Sequence, residues 1–227
     1  VLIPLAGSGT RFKDFYKEPK PLIPIAGKPM IQRVIENFGI NNEFTFVVNK
    51  EMDDRYSVVS FLKSLVPDCR IVYASKTGGA VCTCLLASEY ITEEPLILAN
   101  CDQVVDIDPL IDYGGDGCIL TFPAEHPKWS FARVHEDRVI EVAEKKPISN
   151  HATVGIYYFK RGLDFVTGAQ EMIKKDITTN GEFYVCPVYN ELILMGKKIT
   201  IHEIKEEQMH GMGTPEDAKL YVSFLTK

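Results

Sequence analysis

The sequence predicts an α/β fold built on one doubly wound, mostly parallel sheet with a mixed β insertion in its second half. Short apolar segments of strand length alternate with amphipathic segments of helical period through the first part of the chain. The first apolar segment runs directly into a glycine-containing turn, which is typical of a buried parallel strand. The later segments are mainly strands, two of them joined as a hairpin, which predicts a mixed second half.

The first half repeats a strand–helix order. Pro29, at a first helical position, is followed by apolar residues with i, i+3, i+4, i+7 spacing from Ile31 to Phe38, which predicts a helix. The other predicted elements are strands at 1–5, 44–48, 71–74 and 95–99 and helices at 58–66 and 80–91. This β-α-β-α-β-α-β order predicts right-handed parallel crossovers.

The second half is predicted to be mixed. Its strands are 118–122, 131–135, 138–142, 152–159 and 198–204, and its helices are 163–173 and 185–195. A two-residue turn at Glu136 and Asp137 predicts a hairpin. Thr214 as N-cap and Pro215 at the first helical position predict a last helix that ends at about Leu225. No repeat or linker is visible, so we predict a single domain over residues 1–227, without an appended acyltransferase or repeat domain.

Composition and charge exclude several classes of protein. The 227 residues are 45% hydrophobic and 25% charged, close to globular averages. The net charge of −6 disfavours a nucleic-acid partner. No apolar run approaches the ~20 residues of a membrane span, and the start lacks signal-peptide features. The six cysteines contain no CxxC pair and the five histidines are scattered, which predicts reduced thiols without structural zinc. We therefore expect a cytoplasmic protein with no membrane partner.

One segment runs against the acidic average. Residues 11–28 contain five cations (Arg11, Lys13, Lys17, Lys20 and Lys28) and two acids, a net charge of +3. The segment leaves the carboxyl end of the first predicted strand, where open α/β sheets bind ligands. A solvated surface loop would also explain such a charge run, but the position favours a site for a polyanion.

The turn at residues 5–12 has the chemistry of a phosphate site. Gly7 and Gly9 allow the backbone to approach a ligand, and its amides can hold phosphate oxygens. The turn lacks the third glycine of a dinucleotide fingerprint and the Gly-Lys-Ser/Thr end of a P-loop. Arg11 adds a planar fork for a phosphate and Lys20 a point charge. Together these residues predict a triphosphate site.

This turn, followed by the motifs at 19–22 and 26–31, resembles the signature of the sugar-phosphate nucleotidyltransferases, or nucleoside-diphosphate-sugar pyrophosphorylases. The resemblance continues in order through 77–80, 99–102, 144–147, 154–157 and 213–216. It implies a nucleotide-diphospho-sugar transferase-like fold. It also implies transfer of a nucleoside monophosphate from an NTP to a phosphorylated sugar or similar small molecule, with Mg²⁺ and release of pyrophosphate. The implied setting is nucleotide-sugar and polysaccharide biosynthesis, and a homo-oligomer is compatible with it.

The resemblance also implies roles for individual residues. Arg11 and Lys20 are the implied catalytic cations, and Asp102 is the implied Mg²⁺ ligand. The implied nucleotide-binding residues are Leu5, Ala6, Gly7, Ser8, Gly9, Thr10, Gly79 and Ala80. The implied acceptor-binding residues are Asn100, Glu144, Lys145, Glu182 and Tyr184. Asp102 also follows the buried strand at 95–99, and so lies at the sheet edge where a hard oxygen ligand for Mg²⁺ belongs.

The sequence departs from the family at three places. Cys101 stands where relatives often have glycine before the metal-binding aspartate. The position of a second metal-binding aspartate is occupied by Gly211, with His210 and Asp217 as the nearest substitutes. An extra lysine, Lys146, leaves the register of the acceptor lysine open by one residue.

Two other functions stay open at this point. A glycosyltransferase that uses a nucleotide sugar would need a DxD metal motif, for which Asp106-Ile107-Asp108 is the candidate. Against it, the segment Asp108-Pro109 is typical of a helix start. A catalytically silent nucleotide-binding subunit would explain the glycine at position 211.

Overall fold

The computed structural model describes residues 1–7, 9–109 and 114–226. Its strands are β1 (Leu2–Leu5), β2 (Pro24–Ile25), β3 (Lys28–Pro29), β4 (Thr45–Asn49), β5 (Arg70–Ala74), β6 (Leu96–Ala99), β7 (Gln103–Val105), β8 (Gly117–Pro123), β9 (Ser130–His135), β10 (Arg138–Glu144), β11 (His151–Phe159), β12 (Ile199–Glu203) and β13 (Met209–Gly211). Its helices are α1 (Met30–Phe38), α2 (Lys50–Tyr56), α3 (Val58–Leu65), α4 (Ala80–Leu85), α5 (Gly162–Lys174), α6 (Val188–Leu194) and α7 (Pro215–Leu225).

Nine strands form one sheet. Its main path is β10-β9-β11-β6-β1-β4-β5, and β8 pairs with β11 and β12. Six of the nine strands (β1, β4, β5, β6, β8 and β12) have a parallel neighbour, so the predicted α/β class with a mostly parallel sheet is confirmed. Strand β11 is antiparallel to β6, β8 and β9, and this is the predicted mixed second half.

The strand order reverses between β1 and β6. The chain leaves β1 for β4 and β5 on one side and returns to β6 on the other side. The carboxyl ends of β1 and β6 therefore border the topological switch point, which is where open α/β sheets bind their ligands.

Apolar side chains cover both faces of the sheet. On β1, Ile3 and Leu5 belong to one buried cluster and Leu2 to another, because successive side chains of a strand point to opposite faces. Helix α1 buries Met30, Ile31, Val34, Ile35 and Phe38, the apolar stripe that its sequence predicted. The sheet is thus packed on both sides and holds its strand ends rigidly.

A second, two-stranded sheet joins distant parts of the chain. Strand β13 runs antiparallel to β7, with Gly211 opposite Gln103 and Met209 opposite Val105. The chain then enters α7, whose N-cap Thr214 accepts a hydrogen bond from the Asp217 amide at 3.1 Å, as predicted. The pairing places the residues before α7 beside the turn that follows β6.

Several element boundaries differ from the prediction. The helix predicted over 80–91 ends at Leu85, and a 3-10 turn follows at Ser88–Tyr90. The helix predicted from 185 begins at Val188. Helix α2 was not predicted because it buries none of its residues and so carries no apolar stripe. Among the described helices, none is long and apolar enough to cross a bilayer.

Candidate active site

The loop after β1 is folded against Lys20. Gly9 has a φ of +58°, and a Cβ atom there would lie 3.0 Å from the Cβ of Lys20. Glycine is therefore required by backbone conformation and by close approach at this position. Gly7 and Thr10 are exposed beside it, and the predicted nucleotide-binding residue Ser8 lies outside the described residues.

Lys20 and Asp102 form an ion pair at the switch point. Lys20 begins a 3-10 turn, and Asp102 lies in the turn that follows β6. Their side chains are 21% and 11% exposed. Burial lowers the pKa of the Lys20 ammonium, but the charge of Asp102 and its hydrogen bond outweigh burial, so the net pKa is raised. The cation therefore keeps its charge in a largely dehydrated position.

The segment before α7 contacts both Asp102 and Arg11. The Met212 amide donates to the Asp102 carbonyl at 2.7 Å. The guanidinium of Arg11 donates from Nη1 to the Gly213 carbonyl at 3.4 Å. A Cβ atom on Gly213 would lie 3.0 Å from Asp102 Oδ2. The structure thus brings Arg11, Lys20 and Asp102 into one cluster.

Two of the predicted nucleotide-binding residues, Gly79 and Ala80, lie at the start of α4. Gly79 precedes α4, and α4 packs on β1. Ala6 and Ala80 pack against the same buried apolar cluster, while Leu5 lies in the cluster on the opposite face. Gly79 has a φ of +132°, and a Cβ atom there would lie 2.5 Å from the amide nitrogen of Phe183. A side chain at position 79 is excluded by that contact.

Asn100 and Gln103 lie over Gly155 of β11. The backbone amide of Asn100 donates to the Gly155 carbonyl at 3.0 Å. A Cβ atom on Gly155, whose φ is +92°, would lie 2.4 Å from Asn100 Nδ2 and 2.5 Å from Gln103 Oε1. Gln103 is 7% exposed, and its Oε1 atom has no hydrogen-bond partner among the described residues. The side-chain amides of Asn100 and Gln103 therefore place polar groups over Gly155, within two residues of Asp102 in the sequence.

A second charged cluster lies at the end of β10. Ser130 of β9 donates to the Glu144 carboxylate. Burial raises the pKa of Glu144, and the Ser130 hydrogen bond opposes this shift only in part. The next residue, Lys145, donates from Nζ to the Tyr184 hydroxyl at 2.6 Å, whereas Lys146 is exposed. The Tyr184 hydroxyl donates to Glu182 at 2.9 Å.

The donor set fits a metal ion held mainly by substrate. The described residues contain no group of three or more His, Cys, Asp or Glu side chains that could hold a metal. The two substitutes named above are engaged elsewhere: His210 Nε2 lies 2.9 Å from Asp106 Oδ2, and Asp217 pairs with Lys128 at 3.1 Å. Asp102 offers a carboxylate at this place, and Mg²⁺ accepts one carboxylate with water and phosphate oxygens.

Asp106, the first aspartate of the candidate DxD motif, contacts the segment around β13. The Asp106 amide donates to the Gln208 carbonyl at 2.9 Å, and its carboxylate contacts His210. The His210 ring is 4.9 Å from that of Tyr221 and 4.4 Å from that of Phe224, measured between centroids. Asp106 therefore links β13 to the packing under α7. The sequence after Pro109 lies in the undescribed range 110–113.

Sequence reasoning missed four functional neighbours: Gln103, Ser130, Phe183 and Met212. Three of them contact a residue far along the chain, whereas Ser130 lies opposite Glu144 across the β9–β10 hairpin. None of the four has a chemical type that stands out in its local sequence. Asn190 of α6 lies near the same region, where its side-chain amide accepts from the Val142 amide at 2.8 Å and donates to the Val142 carbonyl at 2.9 Å. Its role is to pin α6 to β10.

Comparisons with known proteins show the family of the chain. The profile of the MobA-like NTP transferase domain family matches residues 1–127, more than half of the chain. The chain belongs to this family. It is 28% identical over 228 residues to the bifunctional protein GlmU of Methanocaldococcus jannaschii, a match that covers 93% of the chain and 48% of that protein. The chain spans about half the length of the curated relatives it matches.

Solved structures of the same fold include two sugar nucleotide enzymes. The nucleoside-diphosphate-sugar pyrophosphorylase of Vibrio cholerae RC9 superposes with a TM-score of 0.87 at 26% identity, over 98% of this chain and 99% of that one. A UDP-glucose pyrophosphorylase in complex with UDP-glucose superposes with a TM-score of 0.76 at 20% identity, over 99% and 97% of the two chains, which supports the fold alone. The resemblance to sugar-phosphate nucleotidyltransferases is confirmed.

Proposed function

We propose that the protein transfers a nucleoside monophosphate from an NTP to a phosphorylated sugar, which yields an NDP-sugar and pyrophosphate. The observation that carries this proposal is the Lys20–Asp102 pair with Arg11 beside it, at the switch point between β1 and β6. A half-buried Lys20 and an exposed Arg11 next to a glycine turn match a triphosphate. The 26% identity to a nucleoside-diphosphate-sugar pyrophosphorylase over nearly the whole chain supports the sugar phosphate as acceptor.

The reaction requires little covalent work from the protein. An oxygen of the acceptor phosphate forms a bond to the α-phosphorus of the NTP. The bond from that phosphorus to the oxygen bridging the α- and β-phosphates breaks, and its electron pair leaves with pyrophosphate. Catalysis is then positioning plus neutralisation of the charge that builds on the phosphate oxygens.

Different residues carry out the positioning and the charge neutralisation. Lys20, kept charged by Asp102, lies against the α-phosphate in our proposal, and Arg11 at the exposed mouth holds the departing pyrophosphate. Lys145 receives the acceptor phosphate, since it is the lysine of the β10 end that faces inward. Asp102 would hold Mg²⁺, which would supply positive charge to neutralise the phosphate oxygens.

Pyrophosphate release tests the proposal. Purified protein is incubated with Mg²⁺, each common NTP in turn and a panel of sugar 1-phosphates. One NTP–acceptor pair should give turnover, and Lys20→Met or Arg11→Met should reduce kcat by roughly 10²–10³, the loss expected for one preorganised cation. Lys174→Met, a side chain 75% exposed on α5, is the matched control and should keep full turnover. Full activity in Lys20→Met would contradict the proposal.

The other two functions give different results in the same assay. A nucleotide-sugar-dependent glycosyltransferase would consume an NDP-sugar and release a nucleotide without pyrophosphate. A silent subunit would bind an NTP, visible as thermal stabilisation, with no pyrophosphate release in any combination.

A further inference from the structure

The Lys145 ammonium contacts both the hydroxyl and the ring of Tyr184. Its Nζ atom donates to the Tyr184 hydroxyl at 2.6 Å and lies 4.3 Å from the centroid of the same ring. The hydroxyl proton is committed to Glu182 Oε2 at 2.9 Å, so the hydroxyl lone pairs are directed at the ammonium. One tyrosine therefore supplies both a hydrogen-bond acceptor and a π face for the cation.

The backbone at Lys145 is also specialised. Its φ is +54°, in the left-handed region that a lysine seldom adopts. The conformation is held by the Lys145 amide, which donates to the Trp129 carbonyl at 3.0 Å. The next residue, Lys146, is exposed. Non-glycine residues held in this region concentrate at functional sites, which points to Lys145 rather than Lys146 as the working lysine.

The residue before Tyr184 is hydrogen-bonded to the loop that precedes α4, which contains the predicted nucleotide-binding residue Gly79. The Phe183 amide donates to the Gly78 carbonyl at 2.9 Å, and the Phe183 carbonyl accepts from the Val81 amide at 3.1 Å. The two hydrogen bonds flank Gly79 in the sequence, and the absence of a side chain at Gly79 permits the close approach of Phe183. Three consecutive residues, Glu182 to Tyr184, thus connect the loop that precedes α4 to the ammonium of Lys145.

We propose that Tyr184 is a positioning residue that holds the Lys145 ammonium for an incoming phosphate, and that Phe183 anchors Tyr184 to the loop that precedes α4. The proposal rests on the proposed function in one respect, namely that the ligand of Lys145 is the acceptor phosphate. It departs from the sequence-based expectation that Tyr184 binds the acceptor itself. An ammonium has three N–H donors; Tyr184 takes one and leaves two for phosphate oxygens. Fixing a long side chain beforehand reduces the entropy lost when the ligand binds.

Inorganic phosphate distinguishes a positioning role from a sugar-reading role. The sugar 1-phosphate with the highest wild-type turnover is used as acceptor, and inorganic phosphate as its competitor. In Tyr184→Phe, which keeps the ring, the KM of the acceptor and the Ki of inorganic phosphate should both rise about tenfold, while the KM of the NTP stays unchanged. A rise in the acceptor KM without a change in the phosphate Ki would mean that Tyr184 reads the sugar, and would overturn the proposal.

Chemical labelling tests the same contact without turnover. Acetylation of Lys145 by acetic anhydride, followed by mass spectrometry, should be several-fold faster in Tyr184→Phe and faster still in Tyr184→Leu than in the wild type. Tyr90→Phe is the matched control, because Tyr90 also carries a cation over its ring, Arg70 at 5.7 Å, at another place on the protein. Unchanged labelling of Lys145 in both Tyr184 variants would overturn the positioning role even if the enzyme is active. Absence of turnover in the wild type would overturn the proposed function, and labelling would still decide the role of Tyr184.

Discussion

The ammonium of Lys20 contacts the carboxylate of Asp102 across 82 positions of sequence. The contact joins the loop after β1 to the turn after β6, the two strands whose carboxyl ends flank the switch point. Each partner sets the state of the other: the carboxylate keeps a largely buried lysine charged, and the lysine occupies one carboxylate oxygen. This mutual dependence gives the first prediction.

Asp102→Asn should destabilise the protein in a pH-dependent way. Because the folded pKa of Lys20 is raised above its ordinary value of 10.5, the stabilisation is fully present below about pH 10 and is lost as pH rises through the folded pKa. We expect a loss of about 1–3 kcal/mol at pH 8, since the variant leaves a partly buried cation without its partner. Urea unfolding of both proteins at pH 8 and pH 11 measures this. An equal difference at both pH values would contradict the assignment of the effect to Lys20.

Gly79→Ala should be far more destabilising than Gly27→Ala. Both glycines have positive φ, +132° and +81°, but only at Gly79 would the new Cβ meet backbone, 2.5 Å from the Phe183 nitrogen. We expect a loss of more than about 3 kcal/mol at Gly79 from strain and overlap together, and of about 1–2 kcal/mol at Gly27 from conformation alone. Urea unfolding at neutral pH measures the loss of stability in both variants. Similar losses would show that the backbone at Phe183 moves aside at little energetic cost.

Gly213→Ala should impair turnover, and Gly211→Ala should not. A Cβ at Gly213 would press on Asp102 Oδ2 at 3.0 Å, whereas one at Gly211 meets Trp129 and Met209 at ordinary distances of 3.6 and 3.7 Å. Moving the carboxylate by a few tenths of an ångström should lower kcat about tenfold, because catalysis by positioning is sensitive to small displacements. Pyrophosphate release measures both variants, and thermal unfolding checks that each is folded. Wild-type turnover in Gly213→Ala would show that Asp102 tolerates displacement.

Glu144→Gln should stabilise the protein at neutral pH while lowering its activity. Burial raises the folded pKa of Glu144 above the ordinary 4.5, so ionisation of this carboxyl opposes folding increasingly as pH rises through that range. Glutamine removes the charge and can still accept the Ser130 hydrogen bond. The Tm should therefore exceed that of the wild type at pH 7 and match it at pH 4.

Glu141→Gln is the control for this experiment. Glu141 lies on the same strand with its side chain 43% exposed and pairs with Arg133, so its substitution should change stability by less than about 0.5 kcal/mol at either pH. A Glu144 variant that is less stable than the wild type at pH 7 would mean that the ionised carboxylate is favourably bound.

The strands and long helices could be predicted from the sequence because each carries its own apolar period. Helix α1 shows this, with every apolar position of its stripe buried. Helix α2 could not be found in this way, since it lies on the surface and buries nothing. The predicted end of α4 was wrong because the apolar pattern continues to Ile91. Turns with i to i+3 hydrogen bonds at Ala87 and Tyr90 bury these apolar side chains as well as a helix would.

Chemical type alone identified the candidate cations, and the glycine turn placed them at a strand end. The partnership of Lys20 with Asp102 could not be read from the sequence, because it depends on the strand order. The same holds for β7 and β13, which are three residues each and pair across about half the chain. Strands this short have no detectable period, so the contact of Met212 with Asp102 is visible only in three dimensions.

The pairing of β13 with β7 has a consequence for how the protein is made. Asp102 and Arg11 are synthesised early, but the Met212 amide and the Gly213 carbonyl that bond them emerge only after almost every other element. On the ribosome, the parallel half of the sheet can therefore assemble while the site is still open on one side. A nascent chain that stalls before β13 would present Arg11 without the Gly213 carbonyl and Asp102 without the Met212 amide.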